Sequence, residues 1–463
     1  MVLENKKLEM RLMICSRANS KLIAYRKDWR QMSILKPERM ESLTKERKES
    51  IMRRSMEDIS SVYLEVRDIV QDIQNRGDIV SVEHYAKFKQ DITPEDIVVT
   101  RDEIENAYKI IDGNVIKELK TAAKNIEKFH KAQLDREMWA MEISEGILAG
   151  RLTRPMDAIG AYVPGRKAAY PSSVLMTIIP AKVAGVKTVV VCTPPDQGMV
   201  VTESTLVASD IAGADYVFKI GGPWAVASMA FGTKKVPKVD KIVGPGNKYV
   251  TAAKMLVFGT VDIDSPAGPS EVLILADETA DPRLLAIDLM SQVEHDEDAA
   301  GVLVCTSLQV AEKVCEIVEN EIENVPRKDI IKSALIKHSA VIVTESMDDA
   351  IDFTNEYATE HLQIMTAEPF AILPKIRHAG SIFMGPYAPV PVGDYASGTN
   401  HVLPTGQCAK MFSGLSVDDF IKKPTFQYLT KKGLSQLKDT VITLAESEGL
   451  FMHARAIRER FKE

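Results

Sequence analysis

The chain has 463 residues, 45% hydrophobic and 27% charged, with a formal net charge of −7. That is material for roughly two to four domains with cores of their own. The acidic balance argues against a nucleic-acid partner, which needs a basic surface, and no apolar run reaches the roughly 18 residues of a membrane span. The N-terminus carries Lys6, Lys7 and Arg11 but no apolar block with a cleavage site, so no signal peptide is expected. The five cysteines, Cys15, Cys192, Cys305, Cys315 and Cys408, are scattered and without CxxC spacing. Neither a disulfide framework nor a cysteine-rich zinc site is expected, and the cytoplasm is the expected compartment.

Residues 1–57 contain no glycine and read as a charged helical extension without its own core. From there to about Leu148 the pattern stays helical, with Val62, Val66, Ile69, Val70 and Ile73 at helical spacing before Gly77. The texture changes near Pro155. Strands are expected at 158–163, Thr188–Cys192, Tyr216–Ile220 and Lys241–Val243, with helices between them. A second alternation follows, with strands at Val272–Ala276, Val302–Cys305, Ala340–Thr344, Leu362–Met365 and Ser381–Met384. Alternating strands and helices, with continuous β-branched runs, predict parallel sheets covered on both faces. The fold class is therefore α/β: two open Rossmann-like α/β lobes plus helical N- and C-terminal extensions. From Ser416 onward the chain reads as helical, broken at Lys432-Gly433.

Several polar positions are placed for chemistry. Gln292 and His295, three apart at the end of an apolar helical run, would share a helix face. Glu360 and His361 sit where a helix hands over to a strand and offer a carboxylate beside an imidazole for proton transfer. Asp394 lies in a Pro- and Gly-rich loop, 385–398, and His453 follows Glu448 in the C-terminal tail. Two imidazoles, a carboxylate and an amide oxygen are donors that zinc accepts. His84, His130, His338, His378 and His401 are equal candidates by composition, and His401 is nearest to Asp394. Ser270 lies in the turn 267–271 that joins the lobes. Gly244-Pro245-Gly246-Asn247 and Gly221-Gly222-Pro223-Trp224 follow strands and precede helices, as phosphate-binding turns do, but neither GxGxxG nor GxxxxGK[ST] occurs there.

The order and spacing of these stretches resemble the histidinol dehydrogenase family. The resemblance is carried by YVPG at Tyr162, YPSSVLMTIIPAKVAGV from Tyr170 and VDKIVGPGNKYVTAAK from Val239. It continues through AGPSEVLILAD from Ala267, SQVEHD from Ser291, EYATEHL from Glu356 and the long run GPYAPVPVGDYASGTNHVLPTG from Gly385. SGLSVDDF from Ser413 and EGLFMHARAI from Glu448 complete it.

The resemblance implies a zinc- and NAD-dependent dehydrogenase that oxidises histidinol to histidine in two steps. Gln292, His295, Asp394 and His453 would be the metal ligands, and His401 a loop residue. Glu360 and His361 would be the acid/base pair. Ser270 and Glu448 would contact substrate, together with the ligands and the pair. Tyr162, Trp224 and Asn247 occupy NAD-contacting positions. It further implies a homodimer in which the tail, with Glu448 and His453, completes the partner subunit's site. The implied division is an extension 1–57, a first lobe of 58–161 and 271–415 with most catalytic residues, an NAD-binding lobe 162–270, and the tail 416–463. Two positions depart from the family. Arg166 stands where a second glycine is usual after YVPG, and Trp224 replaces a glutamine. The alternative reading is a related zinc/NAD dehydrogenase acting on another polar alcohol, such as a sulfonated diol.

Overall fold

The computed structural model describes residues 34–54, 59–89, 91–165, 169–265 and 268–462. The chain divides into two compact units. One holds Met1–Glu57, Gly268–Val390 and Thr405–Met411, and the other Asp58–Ala267, Pro391–Pro404 and Phe412–Glu463.

The first unit is built on a parallel six-stranded sheet. Its order is Pro37–Arg39, Ala340–Val343, Ala300–Cys305, Glu271–Ala276, His361–Met365 and Ser381–Met384. Side chains alternate across a strand, so Val272, Ile274 and Ala276 pack into one core and Leu273 and Leu275 into the other. Helices Pro282–Val293, Leu308–Glu321 and Lys328–His338 supply the first core, and helix Met347–Tyr357 the second. Each such side chain contributes roughly 1.5–3 kcal/mol when fully buried. The segment 34–54 is part of this unit. Its strand extends the sheet, and helix Lys45–Arg53 buries Ile51 and Met52 in the second core. The expected free-standing helical extension is thus corrected over these residues; residues 1–33 lie outside the described residues.

The second unit has a parallel five-stranded sheet. Its order is Tyr216–Phe218, Thr188–Cys192, Ala158–Tyr162, Lys241–Val243 and Asp262–Ile263. Counted along the chain, this is 3-2-1-4-5, the Rossmann-like order with its switch point between the first and fourth strands. Leaving aside the edge strand Pro37–Arg39, the first unit's sheet has the same order. The two lobes therefore share a topology that no repeat in the residues discloses. Strand Ala158–Tyr162 is central to the second sheet, so a boundary drawn at 161/162 cuts a strand. Residues 59–161 group with the second unit, not the first.

Two further expectations change. Residues up to Leu148 are not all helical. Strands Met138–Ser144 and Ile147–Leu152 form a hairpin, and Thr425–Leu429 from the C-terminal segment pairs with it. Strand Met138–Ser144 is exposed along its whole length, although its residues alternate with Trp139, Met141 and Ile143 on one face and Ala140, Glu142 and Ser144 on the other. The tail expected to be helical from Ser416 is interrupted by strands Ile421–Lys422 and Thr425–Leu429, and Lys432-Gly433 is no break but lies in the first turn of helix Lys431–Ser447. A Cβ on Gly433 would lie 2.2 Å from the carbonyl oxygen of Gly146, so close approach of two backbones explains the glycine.

Candidate functional site

The first unit gathers a polar cluster at the amino ends of its central strands. Strands Glu271–Ala276 and His361–Met365 pair in parallel with Val272 opposite His361, which sets Glu271 beside Glu360. Helix Met347–Tyr357 ends at Ala358, whose φ of 50° is in the left-handed region although it carries a Cβ. Such backbone persists where its surroundings enforce it; here it turns the chain from helix to strand and delivers Glu360 and His361, both buried.

The His361 Nδ1 donates to the Glu271 carbonyl oxygen at 3.0 Å and lies 3.4 Å from Glu360 Oε2. A proton held on Nδ1 leaves the Nε2 lone pair as the base. Glu360 Oε2 accepts the Glu271 N–H at 2.8 Å, and Glu271 Oε1 accepts the Glu360 N–H at 3.1 Å. Glu271 also pairs with Arg54, whose Nε is 2.8 Å from Oε2; both side chains are 2% exposed.

Burial pushes the Glu271 carboxyl up to about 7; Arg54 pulls it down and Glu360 pushes it up. A carboxyl raised from 4.5 stabilises the fold fully at low pH and loses that contribution as pH rises through about 7. Arg54, Glu360, His361, Tyr357 and Cys408 are charged or titratable groups facing it. The stability of wild type relative to Glu271→Gln is expected to fall by about 3 kcal/mol between about pH 4.5 and pH 8. Urea unfolding at both pH values reads this, and a flat difference contradicts it.

The proposed metal-ligand positions are distributed between the units. Gln292 is buried on helix Pro282–Val293. The helix ends there, Glu294 is its cap, and His295 follows outside it, exposed. The expected shared helix face is therefore corrected: the backbone beyond the cap orients His295. Its carbonyl accepts from Arg327 at 3.4 Å. Ser270, half-buried, accepts the Ala300 N–H through its carbonyl at 3.1 Å.

Asp394 belongs to the second unit and sits half-buried in a short helix, Val390–Tyr395, where a loop was expected. His401 organises that segment: Nδ1 donates to the Asp394 carbonyl at 2.8 Å, and Nε2 is 3.1 Å from Ser173 Oγ. Glu448 caps helix Lys431–Ser447, and His453 lies on helix Phe451–Glu459; both are exposed. Among the described residues, no three of His, Cys, Asp and Glu gather as metal ligands.

The three cofactor candidates cluster differently. Tyr162 ends the first strand of the second sheet, and the turns at Gly221–Trp224 and Gly244–Asn247 follow its third and fourth strands. These are carboxyl ends, with the first and fourth strands flanking the switch point where such sheets bind ligands. Tyr162 is buried, and its hydroxyl accepts the Gly222 N–H at 3.2 Å. Trp224 stacks on His84 with centroids 3.7 Å apart. Asn247 Oδ1 caps helix Lys248–Val257 by accepting from Tyr249 and Val250. Arg166 lies outside the described residues.

Gly244, with φ of 115°, passes so close to Tyr162 that a Cβ would lie 2.1 Å from its carbonyl oxygen. Gly244→Ala is expected to cost roughly 3 kcal/mol or more through that clash and the positive φ. A melting curve checks this, and an unchanged midpoint contradicts it.

Sequence reasoning missed Arg54 and the part played by Glu271. Glu271 stands within the stretch AGPSEV, and a carboxylate heading an all-apolar strand was a signal. Arg54 lies more than two hundred residues away along the chain, and nothing local marks it.

Comparison with known proteins agrees with this architecture. The histidinol dehydrogenase family profile matches residues 52–461. Histidinol dehydrogenase of Methanothermobacter thermautotrophicus is 49% identical over 413 residues, 89% of this chain and 96% of that one. Histidinol dehydrogenase of Methanocaldococcus jannaschii is 46% identical over 424 residues, 92% of this chain and 98% of that one. The crystal structure of histidinol dehydrogenase from Elizabethkingia anophelis matches with a TM-score of 0.88 at 38% identity, covering 93% of this chain and 98% of that one. With a profile spanning nearly the whole chain and relatives matched along almost their full length, the chain belongs to the histidinol dehydrogenase family.

Proposed function

We propose that this chain oxidises L-histidinol through L-histidinal to L-histidine, in the last steps of histidine biosynthesis, with zinc and two NAD per substrate. The observation that carries the reading is the buried Glu360–His361 pair in a chain whose family match runs from residue 52 to 461. His361, protonated on Nδ1 by its bond to the Glu271 carbonyl, takes the alcohol proton at Nε2 as hydride leaves the carbinol carbon for NAD. Glu360 then takes a proton from water as it adds to the aldehyde, while His361 returns its proton to the aldehyde oxygen, so that the hydrate forms and Nε2 is again free to act as base. His361 accepts the hydrate's proton as the second hydride leaves, giving the carboxylate.

Zinc would be held by Gln292, His295 and Asp394 of one chain and His453 of the partner subunit. The donor types fit zinc. Zinc, when bound, positions the substrate and polarises its oxygen. Ser270 and Glu448 of the partner subunit would contact substrate, the latter at a cationic amino group. NAD would lie at the carboxyl ends of the second unit's strands, near Tyr162, Trp224 and Asn247.

The homodimer is part of this proposal. Met138, Met141 and Ile143 are each more than half exposed on strand Met138–Ser144, as are Phe451 and Met452 beside His453. Apolar surface of this kind is usually covered by a partner, here a second copy. Among the described residues no helix is long and apolar enough to cross a membrane, and a cytoplasmic setting belongs to the same reading. Assay of the zinc-loaded protein with NAD and either L-histidinol or a sulfonated diol tests the substrate. Turnover of histidinol is expected, and turnover of the diol alone overturns the reading.

A further inference from the structure

We propose that Glu271 and Arg54 are the positioning residues of the acid/base pair: Glu271 holds Glu360 and His361 through three of its groups, and Arg54 holds Glu271. The inference rests on the reading of Glu360 and His361 as that pair. The Glu271 N–H bonds the Glu360 carboxylate, its carbonyl bonds the His361 ring, and its Oε1 bonds the Glu360 N–H. One residue thereby sets the carboxylate, the tautomer of the imidazole and the backbone between them. The last of these bonds replaces a backbone acceptor with a side chain, so the register of Glu360 depends on where the Glu271 carboxylate lies.

Arg54 determines that. Its Nε meets Oε2, a terminal nitrogen donates to the Tyr357 carbonyl at 2.5 Å, and its guanidinium carbon lies 3.5 Å from the Tyr357 ring centroid. Tyr357 ends the helix that leads into the pair. Arg54 therefore grips both chain segments that carry the cluster, at Glu271 and at Tyr357. Its own backbone has a φ of 54° at the end of helix Lys45–Arg53, where Gln407 donates to the Met52 carbonyl at 3.0 Å. A strained backbone supporting a buried charge persists where the surrounding contacts compensate both. The guanidinium also offsets the repulsion between Glu271 and Glu360, which lets two carboxylates share one buried corner. Both side chains are almost fully buried against the pair and its leading helix, and the role assigned to them is orientation.

The test is steady-state kinetics and pH–rate profiles of the zinc-loaded enzyme with histidinol and NAD. Wild type is compared with Glu271→Gln, Arg54→Met and Arg54→Lys, with Glu360→Gln and His361→Asn alongside. Glu271→Gln and Arg54→Met are expected to lower kcat roughly 10- to 100-fold with KM little changed, because a misplaced base loses rate and not binding. The pH profile of kcat is expected to shift in both, and Arg54→Lys to recover part of the rate. Should Arg54→Met not fold, the near-isosteric Glu271→Gln and the charge-retaining Arg54→Lys decide. Wild-type kcat and pH profile in folded Glu271→Gln overturn the inference, as does a rise in KM alone. Full activity in Glu360→Gln and His361→Asn overturns the underlying reading of the pair instead.

Discussion

His361→Asn is expected to lower kcat for histidinol oxidation by roughly 10²- to 10⁴-fold, the range of a lost general base. Asparagine can keep a donor toward the Glu271 carbonyl but has no titratable nitrogen where Nε2 stood. Glu360→Gln separates the two oxidations. An amide oxygen still accepts the Glu271 N–H, so the corner keeps its shape. It cannot accept the proton from water, so the aldehyde should form and then wait. A single turnover should release one NADH quickly and the second at least roughly 100-fold more slowly. Stopped-flow absorbance reads both phases. Two equally fast phases in Glu360→Gln, or a near-native kcat in His361→Asn, contradict these roles.

The adjacency of a carboxylate and an imidazole in that corner was legible in the residues, but the construction around them was not. An adjacent carboxylate and imidazole at a helix-to-strand junction is a local pattern, and local patterns survive in sequence. The neighbour that organises them is on a paired strand, and the cation behind it is on a distant helix; only the sheet register brings these together. The same division runs through the fold. Continuous β-branched runs such as Thr188–Cys192 mark strands buried on both faces, and their spacing marks the crossovers. Strand order leaves no comparable trace, so the matching 3-2-1-4-5 order of the two sheets emerges only in three dimensions. The exposed strand Met138–Ser144 does carry a period of two, with Trp139, Met141 and Ile143 on one face, but it is short and follows a long helical stretch, so it reads as more of the same.

The proposed cofactor and acid/base positions lie at opposite ends of the strands in the two units. In the second unit, the turns after Tyr162, Phe218 and Val243 stand at the carboxyl ends. In the first, Glu271 and His361 begin their strands, so the proposed acid/base pair lies at the amino ends. There the preceding helix, through its left-handed Ala358, does the positioning that a loop after a strand does elsewhere.

Removing the proposed metal ligands should have the other large effect. His295→Ala and His453→Ala are each expected to lose bound zinc and to lower activity by roughly 10²-fold or more, since a lost imidazole opens the coordination shell. Metal analysis of purified protein reads the first and turnover the second. Both substitutions are at exposed positions, so folding should survive them. The shared site makes a sharper demand. Glu360→Gln and His453→Ala proteins, each nearly inactive, should regain activity when their subunits are exchanged. The mixed dimer pairs one intact body with one intact tail, so about a quarter of wild-type activity is expected after random exchange. No recovery in a mixture shown to contain mixed dimers contradicts an exchanged tail. Full zinc and full activity in both alanine variants contradicts the metal site itself.

One buried acid/base pair is proposed to carry out both oxidations of one substrate. This is tested most directly by counting NADH released per L-histidinol consumed by the zinc-loaded enzyme, with histidine measured in the same sample. Two NADH and one histidine are expected for each histidinol. One NADH with accumulating aldehyde, or no turnover of histidinol, would contradict it.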